Sequence, residues 1–295
     1  SKRLKTVLNF NKTPLANSYV KNPYIIEKKY PLVCVLCLDC KHLQLKHLVK
    51  PQILFKNYMY VSGTSPVLVK HFENYFKKIK KTLKLDKSKD KILDIACNDG
   101  TFLNFFKKDK FKNVVGIEPA KNLRHLNKTK KIDINTAFFN HKNSFFFKKK
   151  YKEFRVITAN NVFAHVPDLK DFALGIKNIL SRDGLFIFEV SYLKDVLKKL
   201  TFDTIYHEHM SYHALGPLIN FFDSINLEVI DFDLVEAQGG SIRVYVGHRK
   251  KGNITTKIKK QLNIEKKLGL FTTRKYFDYF KKIQAQKNKI GILIK

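Results

Sequence analysis

The sequence predicts an α/β protein, an open and mostly parallel sheet covered by helices on both faces and preceded by a small cysteine-bearing segment. Three observations carry this expectation. Apolar runs of strand length alternate with segments whose apolar residues recur at helical spacing, from residue 66 to about 192. Two β-rich runs, LEVIDFDLVEA and GSIRVYVGHR, meet around Gly239-Gly240 and predict an antiparallel hairpin. Three of the four cysteines, Cys34, Cys37 and Cys40, crowd into PLVCVLCLDCKHLQL.

Taken in order, residues 31–36 and 43–45 are expected as short strands flanking the cysteines. PVLVKHFENYFKKIKKTL (66–83) has helical periodicity. KILDIA (91–96) is short and apolar, as a strand buried on both faces requires, and TFLNFFKK after it has helical spacing. NVVGIE (113–118) is a second strand, stopped by Pro119. RVITANNVF (155–163), a helix near 168–180 and the strand GLFIFEVSY (184–192) repeat the pattern, with a turn at Ser181-Arg182-Asp183-Gly184. The hairpin follows, then a Lys-rich helical end. The expected divisions are 1–65, 66–250 and 251–295.

The chain has 295 residues, 44% hydrophobic and 28% charged, which supports one large or two modest core-forming domains and excludes collagen, coiled coil and disulfide mini-protein. Its 57 Lys+Arg against 25 Asp+Glu give +32. Arginine, whose planar fork suits bases and phosphates, is scarce, and lysine is spread along the whole length, so a solvated Lys surface is expected rather than a specific nucleic-acid interface. Anionic substrates would still be attracted by such a field. No run approaches the roughly 18 apolar residues of a bilayer span, and the Lys-rich N-terminus lacks the apolar core of a secretory signal. The expectation is a cytoplasmic protein with no membrane partner.

Two overlapping C-x-x-C pairs in the cysteine cluster could place two thiolates on one tetrahedral zinc, but a closed site needs four ligands and no second pair is present. His42 and His47 follow the cluster as possible substitutes. Small apolar cysteines within a strand are the equal alternative.

The strand ending at Asp94 runs through Ala96-Cys97-Asn98-Asp99-Gly100 into a helix, a small-residue turn at the carboxyl end of a strand, where open α/β sheets bind ligands. It is neither G-x-G-x-x-G nor a P-loop. The next strand ends in Glu118, whose carboxylate can accept both hydroxyls of a ribose. Carboxylates repel phosphate, so Asp94, Asp99 and Glu118 favour a cofactor without phosphates, and S-adenosylmethionine, a sulfonium joined to adenosine, fits. Asn160 or Asn161 would line the same crevice. Turns favour Asn, Asp and Gly in any case.

FDTIYHEHMSYH (202–213) packs Tyr206, His207, Glu208, His209, Tyr212 and His213 into eight positions. Imidazole accepts protons near neutral pH and a neighbouring carboxylate can orient it, so proton transfer is the natural use. A His-x-His zinc site and a polar exposed loop are the alternatives.

Nine ordered blocks give the chain a resemblance to a known family: TPLANSYV (13–20), YPLVCVLCLDCKHLQL (30–45), YMYVSGTS (58–65), ILDIACNDGTFL (92–103), GIEPAKNL (116–123), ITANNVFAHVPD (157–168), FEVSYL (188–193), FDTIYHEHMSYH and QGGSIRVYV (238–246). Together they resemble the sugar C-methyltransferases. That resemblance implies a Rossmann-like methyltransferase sheet behind a small N-terminal zinc-binding-type domain, S-adenosylmethionine as cofactor, structural zinc, and a nucleotide-linked keto-deoxysugar as substrate. It implies His209 as general base, assisted by Tyr206 and Glu208, with Tyr60 and His165 reaching the same pocket. Asp94, Asn98, Asp99, Gly100, Glu118 and Asn160 are the implied cofactor residues, and Cys37 and Cys40 the implied metal ligands. Arg243 could equally meet a substrate phosphate or lie on the surface. Relatives place another cysteine pair just ahead of Ser1 and continue into a C-terminal domain beyond KNKIGILIK (287–295), so the expectation is a chain shortened at both ends. A catalytically silent cofactor-binding remnant and a basic RNA-binding protein or RNA methyltransferase stand as competing readings.

Overall fold

The computed structural model describes residues 3–22, 24–55, 58–123, 126, 132–249 and 254–294. In chain order its strands are β1 (Leu4–Thr13), β2 (Tyr30–Cys37), β3 (Leu43–Leu45), β4 (Lys91–Ile95), β5 (Asn113–Ile117), β6 (Asp133–Asn135), β7 (Phe154–Asn160), β8 (Leu180–Ser191), β9 (Ser211–Tyr212), β10 (Leu227–Val235) and β11 (Ser241–His248). The helices are α1 (Pro51–Phe55), α2 (Pro66–Leu83), α3 (Thr101–Lys108), α4 (His141–Tyr151), α5 (Leu169–Ile179), α6 (Leu193–Lys199), α7 (Leu215–Asp223), α8 (Thr256–Lys267) and α9 (Thr273–Leu293).

Seven strands form the main sheet in the order β10-β11-β8-β7-β4-β5-β6. β11 runs antiparallel to both β10 and β8, and the other neighbours are parallel. This is the expected Rossmann-like sheet with its terminal hairpin. Side chains alternate across it because the strand period is two. Ile157 and Ala159 of β7 and Phe186, Phe188 and Val190 of β8 pack with Phe172 and Ile176 of α5 and Phe222 of α7. On the other face Ile92, Val156 and Ile187 meet Phe72, Tyr75 and Phe76 of α2 and Phe102 and Phe106 of α3. The chain leaves β4 toward β5 on one side and reaches β7 on the other, so the carboxyl end of β4 is a switch point where a crevice must open.

A smaller antiparallel sheet, β1-β2-β3-β9, takes its last strand from the segment that carries the histidine-rich string. Its core joins Val7, Leu8, Cys34 and Leu36 to Leu270, Tyr276, Tyr279 and Ile283 from the end of the chain. The string is thereby stitched to the small sheet through Leu43 and Tyr212 and to the large one through the Met210 N–H, which donates to the Ala164 carbonyl (2.8 Å).

The turn expected at Ser181–Gly184 falls inside β8, where the chain folds back so closely that a Cβ on Gly184 would lie 2.8 Å from Ser181 Oγ. β8 begins at Leu180, which pairs with Phe154, and the next pair is Val156 with Leu185, so four residues bulge opposite Arg155 alone. The third parallel strand stops at Asn160 rather than residue 163 because Asn161 takes φ 56°, outside strand geometry. No helix among the described residues is long and apolar enough to cross a membrane.

Candidate active site

A cavity of about 860 Å³ opens at the carboxyl ends of β4, β5 and β7 and extends under the 202–209 segment. Its wall includes Asp94, Glu118, Asp168, Asp171 and Asp203, and among the described residues no Lys or Arg lines it. In a chain of +32 this is an anionic interior inside a cationic surface.

The strand-end half is built on the turn after β4. Asp94 is 3% exposed and its Oδ1 accepts from Thr158 Oγ1 (2.6 Å) and Asn160 Nδ2 (3.5 Å). Burial pushes its carboxyl up to about 7, with Thr158 opposing and Glu118 adding to the rise. Glu118 Oε2 accepts from the Asn98 N–H (2.7 Å) and Oε1 from the Ala120 N–H (2.8 Å), and its carboxyl is also raised by burial. Asn160 Oδ1 is a buried acceptor with no partner. Ala96 and Asn98 adopt φ 52° and 53°, which the tight turn demands. At Gly116 an added Cβ would lie 2.6 Å from Cys97 Sγ, so glycine lets β5 approach the turn.

Asn98 also ties down the preceding segment. Its Oδ1 accepts from Ser62 N (2.9 Å) and its Nδ2 donates to the Tyr60 carbonyl (2.9 Å). Tyr60 is thereby set at the cavity wall. Asp99 and Gly100 do not line the cavity. Asp99 Oδ2 accepts from Thr101 Oγ1 (2.7 Å) and Gly100, at φ 71°, opens α3, so both shape the turn from behind.

In the loop half, His209 Nδ1 donates to the Thr204 carbonyl (2.7 Å), which fixes the tautomer and leaves the Nε2 lone pair facing the Tyr206 hydroxyl (3.2 Å). Burial pushes the imidazole down to about 4, so it is neutral at physiological pH. His165, whose ring lies 5.0 Å from that of His209 and stacks on Phe55, is lowered further by burial and by His209. The Tyr206 phenol is raised by burial and by Glu208, and the Tyr60 phenol by burial and Asp99, so both remain donors.

Glu208 is buried behind the cavity wall, its Oε1 accepting from Asn17 Nδ2 (2.9 Å). His207 and His213 turn away, bonding the Tyr30 (3.2 Å) and Phe163 (3.3 Å) carbonyls. Thus Tyr60, His165, Tyr206 and His209 share one cavity with Asp94, Asn98, Glu118 and Asn160, while Glu208 supports it through Asn17. Asn17, Phe55, Tyr58 and Ser62 were given no role by sequence reasoning. Asn17 and Tyr58 stand inside quoted blocks, but only the tertiary fold brings them to the cavity.

Arg243 neither lines the cavity nor lies on the surface. It is 5% exposed, donates from Nε and Nη2 to Glu189 Oε2 (3.0 and 2.8 Å), and lies 3.6 Å over the Tyr75 ring, a buried ion pair that locks β11 to β8 and α2.

The cysteine segment forms a knuckle in which the Cys40 N–H approaches Cys37 Sγ (3.4 Å). Cys34 faces the small core beside Tyr212, its thiol pushed up to about 12 by burial, so it does not join that pair. His42 is packed on the ring of His213, and His47 is exposed. Among the described residues no three His, Cys, Asp or Glu are grouped to hold a metal. Cys37 and Cys40 therefore offer two thiol donors where a closed zinc site needs four, and the described residues do not supply the other two. The anionic wall, by contrast, fits S-adenosylmethionine. The unpartnered Asn160 Oδ1, Asp94 and Glu118 accept hydrogen bonds or face positive charge, as a sulfonium, an ammonium and ribose hydroxyls require.

Three family models match consecutive parts of the chain: "Putative zinc binding domain" over residues 1–55, "Methyltransferase domain" over 69–231 and "C-methyltransferase C-terminal domain" over 236–295. The chain is 32% identical over 241 residues to the C-methyltransferase NovU of Streptomyces niveus, covering 81% of this chain and 57% of NovU. It thus spans little more than half the length of that curated relative. Among solved structures, an S-adenosylmethionine-dependent methyltransferase from Clostridium acetobutylicum is 16% identical, covering 61% of this chain and 92% of that one at TM-score 0.48. The PH0226 protein from Pyrococcus horikoshii is 14% identical, covering 69% and 100% at TM-score 0.48.

Proposed function

Since the chain belongs to the methyltransferase family whose domain model spans 69–231, with a C-methyltransferase segment after it, we propose that it methylates carbon on a nucleotide-linked keto-deoxysugar. The observation that carries this reading is the His209 tautomer. A carbon next to a carbonyl is not nucleophilic until a proton leaves it, so transfer to carbon needs a base, donors for the enolate oxygen and an aligned methyl donor. His209 Nε2 offers an unprotonated nitrogen inside the cavity, and Tyr206, held at 3.2 Å from it, and Tyr60 offer hydroxyl donors for the developing oxyanion.

In the proposed reaction the substrate C–H bond breaks and its proton passes to His209 Nε2. The electron pair delocalises onto the carbonyl oxygen and returns to form the new carbon–carbon bond. S-adenosylmethionine, when bound, supplies the electrophilic methyl group and leaves as a neutral thioether. Asp94, Glu118 and Asn160 would hold it in the strand-end half. Because no Lys or Arg lines the cavity among the described residues, we assign the cavity to the uncharged keto-sugar end of the substrate and place its diphosphate outside that wall.

The test is solvent-deuterium exchange into a keto-deoxysugar nucleotide without methyl donor, followed by NMR. The expected result is exchange next to the carbonyl with the wild-type chain and none with His209→Ala. Exchange undiminished in the variant would remove His209 as the base, and, in a parallel incubation with S-adenosylmethionine added, a methyl group recovered on oxygen or nitrogen would remove the carbon-transfer reading.

A further inference from the structure

At the amino ends of the same parallel strands lies a second cleft, of about 390 Å³, lined by Lys89, Lys91, Lys148, Lys152, Arg155 and Ser181 together with Asp90 and Glu153. The lining residues come from separate elements. Lys91 opens β4, Lys148 is on α4 and Lys152 caps its end, Arg155 is the second residue of β7, and Ser181 sits in the β8 bulge that opposes Arg155. Three strands therefore have one end in each cleft: β4, β7 and β8 run from Lys91, Arg155 and Ser181 to Asp94, Asn160 and Ser191.

Five cations against two carboxylates would repel one another unless an anion lay between them. One carboxylate is engaged by the backbone and the other by a lysine of the cleft itself. Asp90 Oδ2 accepts from the Asp86 N–H (2.7 Å), and Glu153 Oε1 lies 3.5 Å from Lys148 Nζ. Lys91 donates to the Tyr151 carbonyl (2.6 Å) and Lys148 to that of Asn178 (2.8 Å), which aims both ammonium groups and leaves each with further N–H donors.

Two donors in this cleft have no partner. Arg155 Nη1 and Ser181 Oγ are both buried atoms without a hydrogen bond among the described residues. Four other arginines among the described residues are paired: Arg3 with Asp39, Arg243 with Glu189, Arg249 with Asp223 and Arg274 with Asp278. A half-buried arginine with a buried, unbonded Nη1, a hydroxyl opposite it and lysines around both is the donor set that a tetrahedral oxyanion satisfies.

We propose that this cleft binds a phosphate-class oxyanion, with Arg155 and Ser181 donating to its oxygens and Lys89, Lys91 and Lys152 supplying charge. The site is separate from the reaction proposed above and does not depend on it. Free phosphates and the diphosphate of a nucleotide share the chemistry, and the test separates them.

The whole chain is titrated calorimetrically at physiological ionic strength with inorganic phosphate, inorganic pyrophosphate and a nucleoside diphosphate. The expected result is one saturable site that Arg155→Gln weakens about tenfold or more, by loss of a charge-assisted bidentate donor. Lys152→Gln, at an exposed position, should weaken it severalfold and keeps the test decisive if Arg155→Gln does not fold. A nucleoside diphosphate that binds more tightly than pyrophosphate supports a nucleotide ligand, and equal affinities support a free phosphate. No saturable binding, or equal affinity in wild type and both variants, would overturn the proposal, since that is how a diffuse lysine field behaves.

Discussion

The strand-end half of the cavity stands on the carboxyl ends of β4, β5 and β7, whereas the loop half is assembled from residues 17, 55–62, 162–167 and 202–209. The first is held by backbone ladders and by carboxylates that accept main-chain N–H groups. The second is held by side-chain contacts, some across long sequence separations, such as Asn17 to Glu208, and some local, such as Tyr206 to His209. Their electrostatics also differ in sign. Burial holds Asp94 and Glu118 toward the protonated acid, and holds His165 and His209 toward the neutral base. A binding half and a proton-transfer half can thus be changed separately, which gives the comparison its experimental content.

The largest separation is expected from a pair of single variants. His209→Ala should lower methyl transfer by about 10²–10⁴-fold, the usual contribution of a general base, with cofactor affinity unchanged. Glu118→Gln should weaken S-adenosylmethionine binding by about tenfold or more through loss of charge and one acceptor, leaving proton exchange in the substrate intact. Calorimetry and single-turnover assays on both variants check the crossing. If either variant changes both quantities equally, the halves are not separable.

Proton linkage distinguishes the halves next. The carboxyl of Asp94, pushed up to about 7, contributes stability while protonated, and that contribution is lost as pH rises through 7. Bound S-adenosylmethionine, a cation, favours the ionised carboxylate, so affinity should rise by up to about tenfold per pH unit below 7 and level off above it. Asp94→Asn should flatten that profile. His209 and His42, pushed down to about 4, act in the opposite direction: the unfolded chain binds their protons below pH 6.5, so stability falls as pH drops from 6.5 toward 4. Unfolding followed at intervals between pH 4 and 8 should therefore show stability rising from pH 4 to about 6.5, where two imidazoles outweigh one carboxyl, and levelling near pH 7, and Asp94→Asn should steepen that rise. A profile that falls steadily from pH 4 to 6.5 would contradict the paired assignment.

A smaller effect is expected at the joint between the halves. Asn98→Ala removes the bonds to Ser62 N and the Tyr60 carbonyl while sparing the cofactor turn's own backbone contact with Glu118. It should lower both cofactor affinity and transfer by about fivefold to tenfold, since two hydrogen bonds near the low end of the usual range together contribute about 1–1.4 kcal/mol. Combined with Tyr60→Phe it should be less than additive, because both act on the same placement. Strict additivity would mean that Asn98 and Tyr60 are not coupled.

The two halves were unequally legible in the sequence for the same physical reason. Local patterns, apolar runs followed by small polar turns, identify strands and what their ends carry, so Asp94, Glu118 and Asn160 were readable from periodicity. The loop half depends on contacts between distant segments. The cluster Tyr206–His209 announced itself by density, but which of its members face the cavity depends on β9 pairing with β3, a two-residue strand that no periodicity marks. Arg243 was ambiguous because its partner Glu189 lies across a strand pair, and the small polar residues Ser181–Gly184 mark a chain reversal without showing that it loops out of β8 opposite Arg155. The cysteine spacing showed a knuckle and could not show a complete ligand set.

The smallest predicted effect concerns Ala96, which holds a left-handed backbone conformation at the start of the cofactor turn. At φ 52° the Cβ of alanine is crowded against its own carbonyl, at a cost of about 1–2 kcal/mol. Glycine relieves that crowding and gives back about 0.4–1 kcal/mol as extra freedom of the unfolded chain. Ala96→Gly should therefore stabilise the fold by about 1 kcal/mol or less, measured by denaturant unfolding, and tighten cofactor binding slightly if the strained turn relaxes toward the ligand. A destabilised variant would mean that the turn is held in place by the Ala96 methyl group and is not strained by it, and the rigidity of the strand-end half would then rest on side-chain packing, as it does in the loop half.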